Sequence, residues 1–393
     1  MYVTTESGLA DLIGQLQESD RLAIDTEFVR EKTYYHRLGL IQLASNGTCA
    51  AVDPIAVKNL DPLIELLKRR DILKVFHAGK QDLEILYRLS GEVIQPVFDT
   101  QVAAAMIGWG AQISFAKLVK RATGKRLHKS ETYSDWCRRP LSPNQIEYAL
   151  DDVRFLMPVY DKLVAQLKKL NRLEWVQEEL KELTDPANFE LPDPYAQFMR
   201  VKNVRTLKPK QMAVLRELAA WRETEARRRN CLAKFIVRDE TLLQIARLAP
   251  DTVAKLHDVR GINAKEIQNN GETILELIER GRSVPEDQCP DLPESSGYAT
   301  SRGVEELLAA YVQIRSEELK IEPHILADRK QIHSFVRCHE QEESFEDHSL
   351  FQGWRKHLIG RDLHLILGGE QGLIINKKGK VTLINPAPKP PQP

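Results

Sequence analysis

The segment Leu22-Ala23-Ile24-Asp25-Thr26-Glu27-Phe28 constrains this 393-residue chain most, because it reads as a buried strand that carries two carboxylates. A short apolar run of this kind suits a sheet interior, although the run alone also fits a helix. On a strand, residues i and i+2 share a face, so Asp25 and Glu27 project side by side. Two half-buried acids repel each other and lose hydration. Either they sit at a solvated strand end, or a divalent cation neutralises them, as in oxygen-ligand metal sites.

Three more residues extend the pattern. Asp82 follows the strand-like Leu73-Lys74-Val75-Phe76 and the short His77-Ala78-Gly79, and opens a helical pattern at Leu83, Leu86 and Leu89. Ligand sites in open α/β sheets collect at such strand ends, while a first-turn acid also complements a helix dipole with no further role. Downstream, Ser142 suits an N-cap and Pro143 a first helical position, for a helix running through Ile146, Tyr148, Ala149, Val153, Leu156 and Met157. Tyr148 and Asp152 are four residues apart and hence neighbours on one face. Asp152 then holds a metal while Tyr148 orients a water, or Asp151 and Asp152 simply face solvent.

The stretches AIDTEFVREKTYYHRLGLIQLA, VFHAGKQDLEIL, PVFDTQVAAAMIG and YSDWCRRPLSPNQIEYALDDVRFLMPVYDKL together resemble the ribonuclease D family, within the four-acid, tyrosine-type 3′→5′ exonucleases of the RNase H-like superfamily. The match runs from about Ala23 to Leu163. It implies an α/β RNase H-like exonuclease domain, a mixed and centrally parallel sheet flanked by helices, followed by all-α HRDC-like domains. By resemblance the metal-binding acids are Asp25, Glu27, Asp82 and Asp152, and the water-positioning tyrosine is Tyr148. Asp151 competes with Asp152, but the family's acid stands four residues after the tyrosine. The implied cofactors are two Mg²⁺ or Mn²⁺ ions, roughly 3.5–4 Å apart, and the implied products are nucleoside 5′-monophosphates released from a 3′ end. The implied substrate is RNA with a single-stranded 3′ end, tRNA precursors among them. Phe28 either stacks on the terminal base or packs in the core. His77 either approaches a phosphate or is a hydrogen-bonded structural histidine. Arg138 and Arg139, beside Trp136, either grip the RNA backbone or are solvated loop charges. Gln42, in GLIQLA, reads as structural.

Charge is balanced, with 56 basic and 56 acidic residues. That argues against a protein that coats nucleic acid in bulk and leaves room for an exonuclease, whose acids are counted without their metals. Cys49, Cys137, Cys231, Cys289 and Cys338 are scattered and show neither a disulfide framework nor a zinc ribbon. His333, Cys338, His339 and His348 fit no zinc spacing and are assigned to the surface. No segment reaches the ~20 apolar residues of a membrane helix, and the first residues lack a signal-peptide pattern, so a reducing cytoplasm is expected.

A charged helical stretch from Asp161 to Leu183 gives way to the proline-bearing TDPANFELPDPY. Helices are then expected over Lys208–Arg229, Glu240–Leu248, Asp251–Leu256 and Asn263–Arg280. RNCLAKFIVRDETLLQIA and VRGINAKEI resemble the HRDC domain, a small helical module for nucleic-acid binding or protein docking. HILADRKQIHSFV repeats that pattern further on, and GLIINKKGKVTLIN alternates as a hairpin does. The organisation expected is therefore an exonuclease domain over 1–184, a linker over 185–206, an HRDC domain over 207–283, a linker over 284–300, a second HRDC-like domain over 301–371, and a hairpin with a disordered proline-rich tail over 372–393. Arg227-Arg228-Arg229 either complements a helix C-terminus or contacts phosphate. The rival readings are a 3′→5′ DNA exonuclease on the same scaffold and a non-catalytic module that docks RNA or a helicase. Presence of all five site residue types favours an enzyme.

Overall fold

The computed structural model of the chain describes residues 1–127, 134–291, 302–377 and 379–385. Tyr133 of the YSDW motif, most of the second linker and the 386–393 tail lie outside the described residues. The chain forms two compact units, one from Met1–Glu27, Gly39–Asn188 and Tyr298–Pro393, the other from Phe28–Leu38 and Phe189–Gly297.

The first unit is built on a six-stranded mixed sheet: β1 (Tyr2–Val3), β2 (Arg21–Val29), β3 (Arg37–Ser45), β4 (Thr48–Val52), β5 (Leu73–Phe76) and β6 (Val97–Asp99), in the order β1-β4-β3-β2-β5-β6. The strands β2, β5 and β6 run parallel, β3 and β4 pair antiparallel, and β1 joins β4 in parallel. Leu22, Ala23 and Ile24 are fully buried, which resolves the ambiguity of their apolar run in favour of a central strand. Lys74, within β5, is also fully buried, and its ammonium donates to the carbonyls of Arg69, Ile72 and Gln95.

Among the described residues, eight helices of the N-terminal part accompany the sheet: α1 (Glu6–Leu16), α2 (Asp61–Lys68), α3 (Lys80–Ser90), α4 (Thr100–Met106), α5 (Phe115–Thr123), α6 (Pro143–Arg154), α7 (Leu156–Lys169) and α8 (Leu173–Leu183). The helix opened by Ser142 is shorter than expected and stops at Arg154. Pro158 is the reason: it lacks the N–H that would reach the Arg154 carbonyl. The stretch from Asp161 to Leu183 is likewise two helices, broken at Asn171 in the left-handed region (φ 53°). The break turns Arg172 inward, where its guanidinium donates to the carbonyls of Met106, Leu319 and Lys320.

Those last two carbonyls belong to the C-terminal helices Arg302–Leu319, Pro323–Leu326, Arg329–Glu340 and Arg361–Leu367, which share one hydrophobic core with α4, α5, α7 and α8. Trp354 stacks on Trp175 (5.4 Å, 16°), and Arg355 donates to Glu179 at 2.6 Å. Cys338 corrects the sequence reading: it is buried on the core side of its helix, because it continues the apolar spacing of Phe335 and Val336. All five cysteines are free. The strands β7 (Gly372–Ile375) and β8 (Val381–Ile384) pair antiparallel.

The second unit holds helices Pro209–Arg228, Asp239–Leu248, Val253–His257 and Ala264–Ser283, within a few residues of the spans expected from periodicity. The two long helices cross at Gly281, where a Cβ would stand 2.4 Å from the Val214 Cα. The arginine run closing the first of them is committed within the unit. Arg227 pairs with Glu223, Arg228 with Glu225, and Arg229 with Glu225 and Glu266.

Candidate active site

The site begins with the period-two geometry of β2. Asp25 and Glu27 lie on one face of the strand, and together with Asp152 of α6 they each offer a carboxylate oxygen within 4.8 Å of the others. The helix that carries Asp152 starts where its sequence dictates. The Ser142 hydroxyl accepts from Gln145 N at 3.2 Å, and the Gln145 side chain accepts from Ser142 N at 2.9 Å, a reciprocal cap.

Asp82 reaches the site by another route. The chain leaves β5 through Ala78 in the left-handed region (φ 56°) and Gly79, where a Cβ would stand 2.5 Å from the Phe76 Cβ. Asp99, at the end of β6, accepts from Ala78 N (3.2 Å) and Gly79 N (2.8 Å) and also caps α4. This fixed turn buries Asp82 in the first turn of α3. The Thr26 hydroxyl, on the strand between the two acids, donates to Asp82 Oδ1 at 2.5 Å. Asp82 stands outside the closest trio, but its charge acts on Asp25 and Glu27. Thr26 and Asp99 were not singled out from sequence. The signal for Asp99 was its place in PVFDT, an acid between a strand and a helix.

Electrostatics mark this cluster. Burial, then repulsion from Asp82, Asp152 and Glu27, holds the Asp25 carboxyl well above the usual carboxylate range. Burial, with Asp152 and Asp82, pushes Glu27 up to about 9. Burial and the adjacent Asp151 raise Asp152 to about 7. Burial raises Asp82 to about 6, moderated by the Thr26 hydroxyl. Asp25 and Glu27 are raised by burial and by their acidic neighbours, Asp82 and Asp152 chiefly by burial, and the converging oxygens of Asp25, Glu27 and Asp152 could hold a hard divalent cation. Asp151 differs in kind, because it is ion-paired with Arg154, which also holds Glu147. Tyr148 is half-buried beside Asp152, its ring packed on Trp136 at 6.1 Å.

The other sequence candidates are placed as follows. His77 has both ring nitrogens engaged by the protein, Nε2 donating to the Ile113 carbonyl (3.1 Å) and Nδ1 meeting the Thr100 hydroxyl (2.9 Å). Burial lowers its pKa, as suits a neutral ring. Arg139 makes a two-pronged ion pair with Asp53, both contacts 2.7 Å, and donates to the Gly39 and Trp136 carbonyls. Its guanidinium thereby ties the loop carrying Trp136 to the sheet. Arg138 is exposed on an open groove along Asp135, Leu141 and Gln145. Phe28 belongs to the second unit, with its ring edge-on to His36 at 4.7 Å.

Residues 1–168 match the 3′-5′ exonuclease family, and residues 211–278 match the HRDC domain. Ribonuclease D of Granulibacter bethesdensis is 36% identical over 380 residues, covering 96% of this chain and 94% of its own. Ribonuclease D of Escherichia coli K12 is 35% identical over 370 residues, covering 93% and 97%. The crystal structure of Escherichia coli RNase D, described as an exoribonuclease involved in structured RNA processing, superposes with a TM-score of 0.81 at 34% identity, over 94% of this chain and 98% of that one.

Proposed function

The chain belongs to the ribonuclease D family and is a 3′→5′ exoribonuclease, and on that premise we propose that Asp25, Glu27, Asp82 and Asp152 hold two Mg²⁺ or Mn²⁺ ions that serve the hydrolysis. The observation that carries this reading is the convergence of Asp25, Glu27 and Asp152, each with a proton affinity raised first by burial and then by acidic side chains nearby. When bound, such ions lower the pKa of the attacking water and stabilise the departing 3′ oxygen.

The protein's own residues supply the rest. Thr26 holds the Asp82 carboxylate in one orientation, and the Asp99 turn fixes the helix that bears it. Tyr148 orients the attacking water. It does not deprotonate it, since a phenol near pKa ~10 is a poor base at neutral pH. Asp152, and not Asp151, is the ligand, because Asp151 is held by Arg154.

The substrate class we favour is RNA with a single-stranded 3′ tail, tRNA precursors among them, in the cytoplasm. The Escherichia coli relative's role in structured RNA processing supports the RNA class, and five free cysteines suit a reducing compartment. No helix among the described residues is long and apolar enough to cross a membrane. The test is a 5′-labelled hairpin RNA with a single-stranded 3′ tail, incubated with Mg²⁺ or Mn²⁺ beside a blunt hairpin. The expected result is a ladder that halts near the duplex, abolished by EDTA. Equal degradation of the blunt hairpin refutes the tail requirement.

A further inference from the structure

Gln42 lies within β3 with no exposed surface, and among the described residues neither its amide oxygen nor its amide nitrogen meets a hydrogen-bond partner. A buried amide in that state is unfavourable unless something polar completes it. Its surroundings say what that is. Cys49, Ala51 and Asp53 succeed one another on one face of β4 and its extension. The Cys49 thiol donates to the Leu150 carbonyl of α6 at 3.6 Å. Asp53 holds Arg139, which donates to the Trp136 carbonyl, and Trp136 packs on Tyr148.

Ala51 stands between these two anchor points and pairs directly with Gln42. Residues opposite each other in an antiparallel pair share a face. The Gln42 amide therefore enters the layer between the sheet and the Tyr148 half of α6, beside an alanine too small to fill it. On the other side of β3 runs β2, whose Asp25 and Glu27 meet Asp152 of α6 and so face the same layer.

We propose that Gln42 is a positioning residue for RNA hydrolysis, its amide holding an ordered water under α6 that hydrogen-bonds the Tyr148 phenol and fixes that phenol over the acid pair. Buried waters of this sort bridge polar groups that lack direct partners. The proposal rests on the assignment of Tyr148 to the site.

The test uses the full chain with Mn²⁺ and a 5′-labelled RNA carrying a single-stranded 3′ tail. Gln42→Leu and the flexible Gln42→Met are compared with Tyr148→Phe and with each combined with Tyr148→Phe. A merely structural amide gives variants that melt at or above the parent temperature with kcat within twofold of parent, and that result overturns the proposal. The expected result is an unchanged or raised melting temperature, KM within twofold, kcat at least tenfold lower, and no further loss when Tyr148→Phe is added. A full additional loss in the combined variants also overturns it, since the two residues then act independently. Parental kcat in Tyr148→Phe removes the Tyr148 assignment and this inference with it, whereas a slow Tyr148→Phe beside parental Gln42 variants removes the inference alone.

Discussion

Replacing Asp152 by Asn should stabilise the metal-free protein while it destroys activity. Asp152 is raised from its ordinary 3.8 to about 7 by burial and its acidic neighbour. Because the folded-state pKa exceeds the unfolded one, folding takes up a proton, and stability falls as pH climbs from about 4 to about 7. At roughly 1.4 kcal/mol per tenfold change in proton affinity, the full shift amounts to about 4 kcal/mol above pH 7. Solvent access and relaxation lower this to about 2–4 kcal/mol. Asparagine keeps the shape and removes the titration, and it also lessens the repulsion on Asp25 and Glu27. The assay is thermal and urea unfolding in EDTA at pH 5 and pH 8, for parent and Asp152→Asn. The gain should be several degrees at pH 8, about 2–4 °C per kcal/mol, and much smaller at pH 5. An Asn variant less stable than parent at pH 8, or a gain that ignores pH, refutes the claim that these carboxylates repel one another in the fold.

Asp151→Asn should keep exonuclease activity within a few-fold of parent while Asp152→Asn loses at least a thousandfold, measured by single-turnover cleavage of labelled RNA; equal losses would reassign the ligand. Thr26→Val, which removes the hydroxyl from Asp82, should raise the Mn²⁺ concentration needed for half-maximal rate by about tenfold, as loss of a second-layer partner does in metal sites, and an unchanged metal dependence would release Thr26 from that role. Arg139→Ala leaves Asp53, only 2% exposed, without its cation. The cost should be about 3 kcal/mol in urea unfolding, and a loss below about 1 kcal/mol would contradict a structural Arg139. Burial alone would raise Asp53, but Arg139, Tyr2 and two backbone N–H groups pull it down to about 2, so its contribution should persist above pH 4 and fade as pH falls toward 2.

Much of the site was legible because its signals are local. Period two put Asp25 and Glu27 on one face, and a Ser-Pro start fixed the helix that aligns Tyr148 with Asp152. The HRDC helices were legible for the same reason. What stayed hidden depends on distant partners. Nothing near Arg139 announces that its ion-pair partner, Asp53, lies 86 residues away. Likewise Asp151 and Asp152 are alike by type, and only the fold shows that Asp151 pairs with Arg154 while Asp152 meets Asp25 and Glu27. The C-terminal helices show the same limit: their apolar spacing reads as a module, but not that Trp354 and Arg355 seat on Trp175 and Glu179 of α8. Pro158 was a legible signal, and its missing N–H explains why the helix from Ser142 ends at Arg154.

The most direct test of a two-ion site built from Asp25, Glu27, Asp82 and Asp152 is a Mn²⁺ titration of the full chain, by calorimetry, beside Asp25→Asn. Two ions bound per chain, with protons released near neutral pH and with at least one ion lost in Asp25→Asn, is the outcome this account predicts. No saturable Mn²⁺ binding, or binding that Asp25→Asn leaves unchanged, would contradict it.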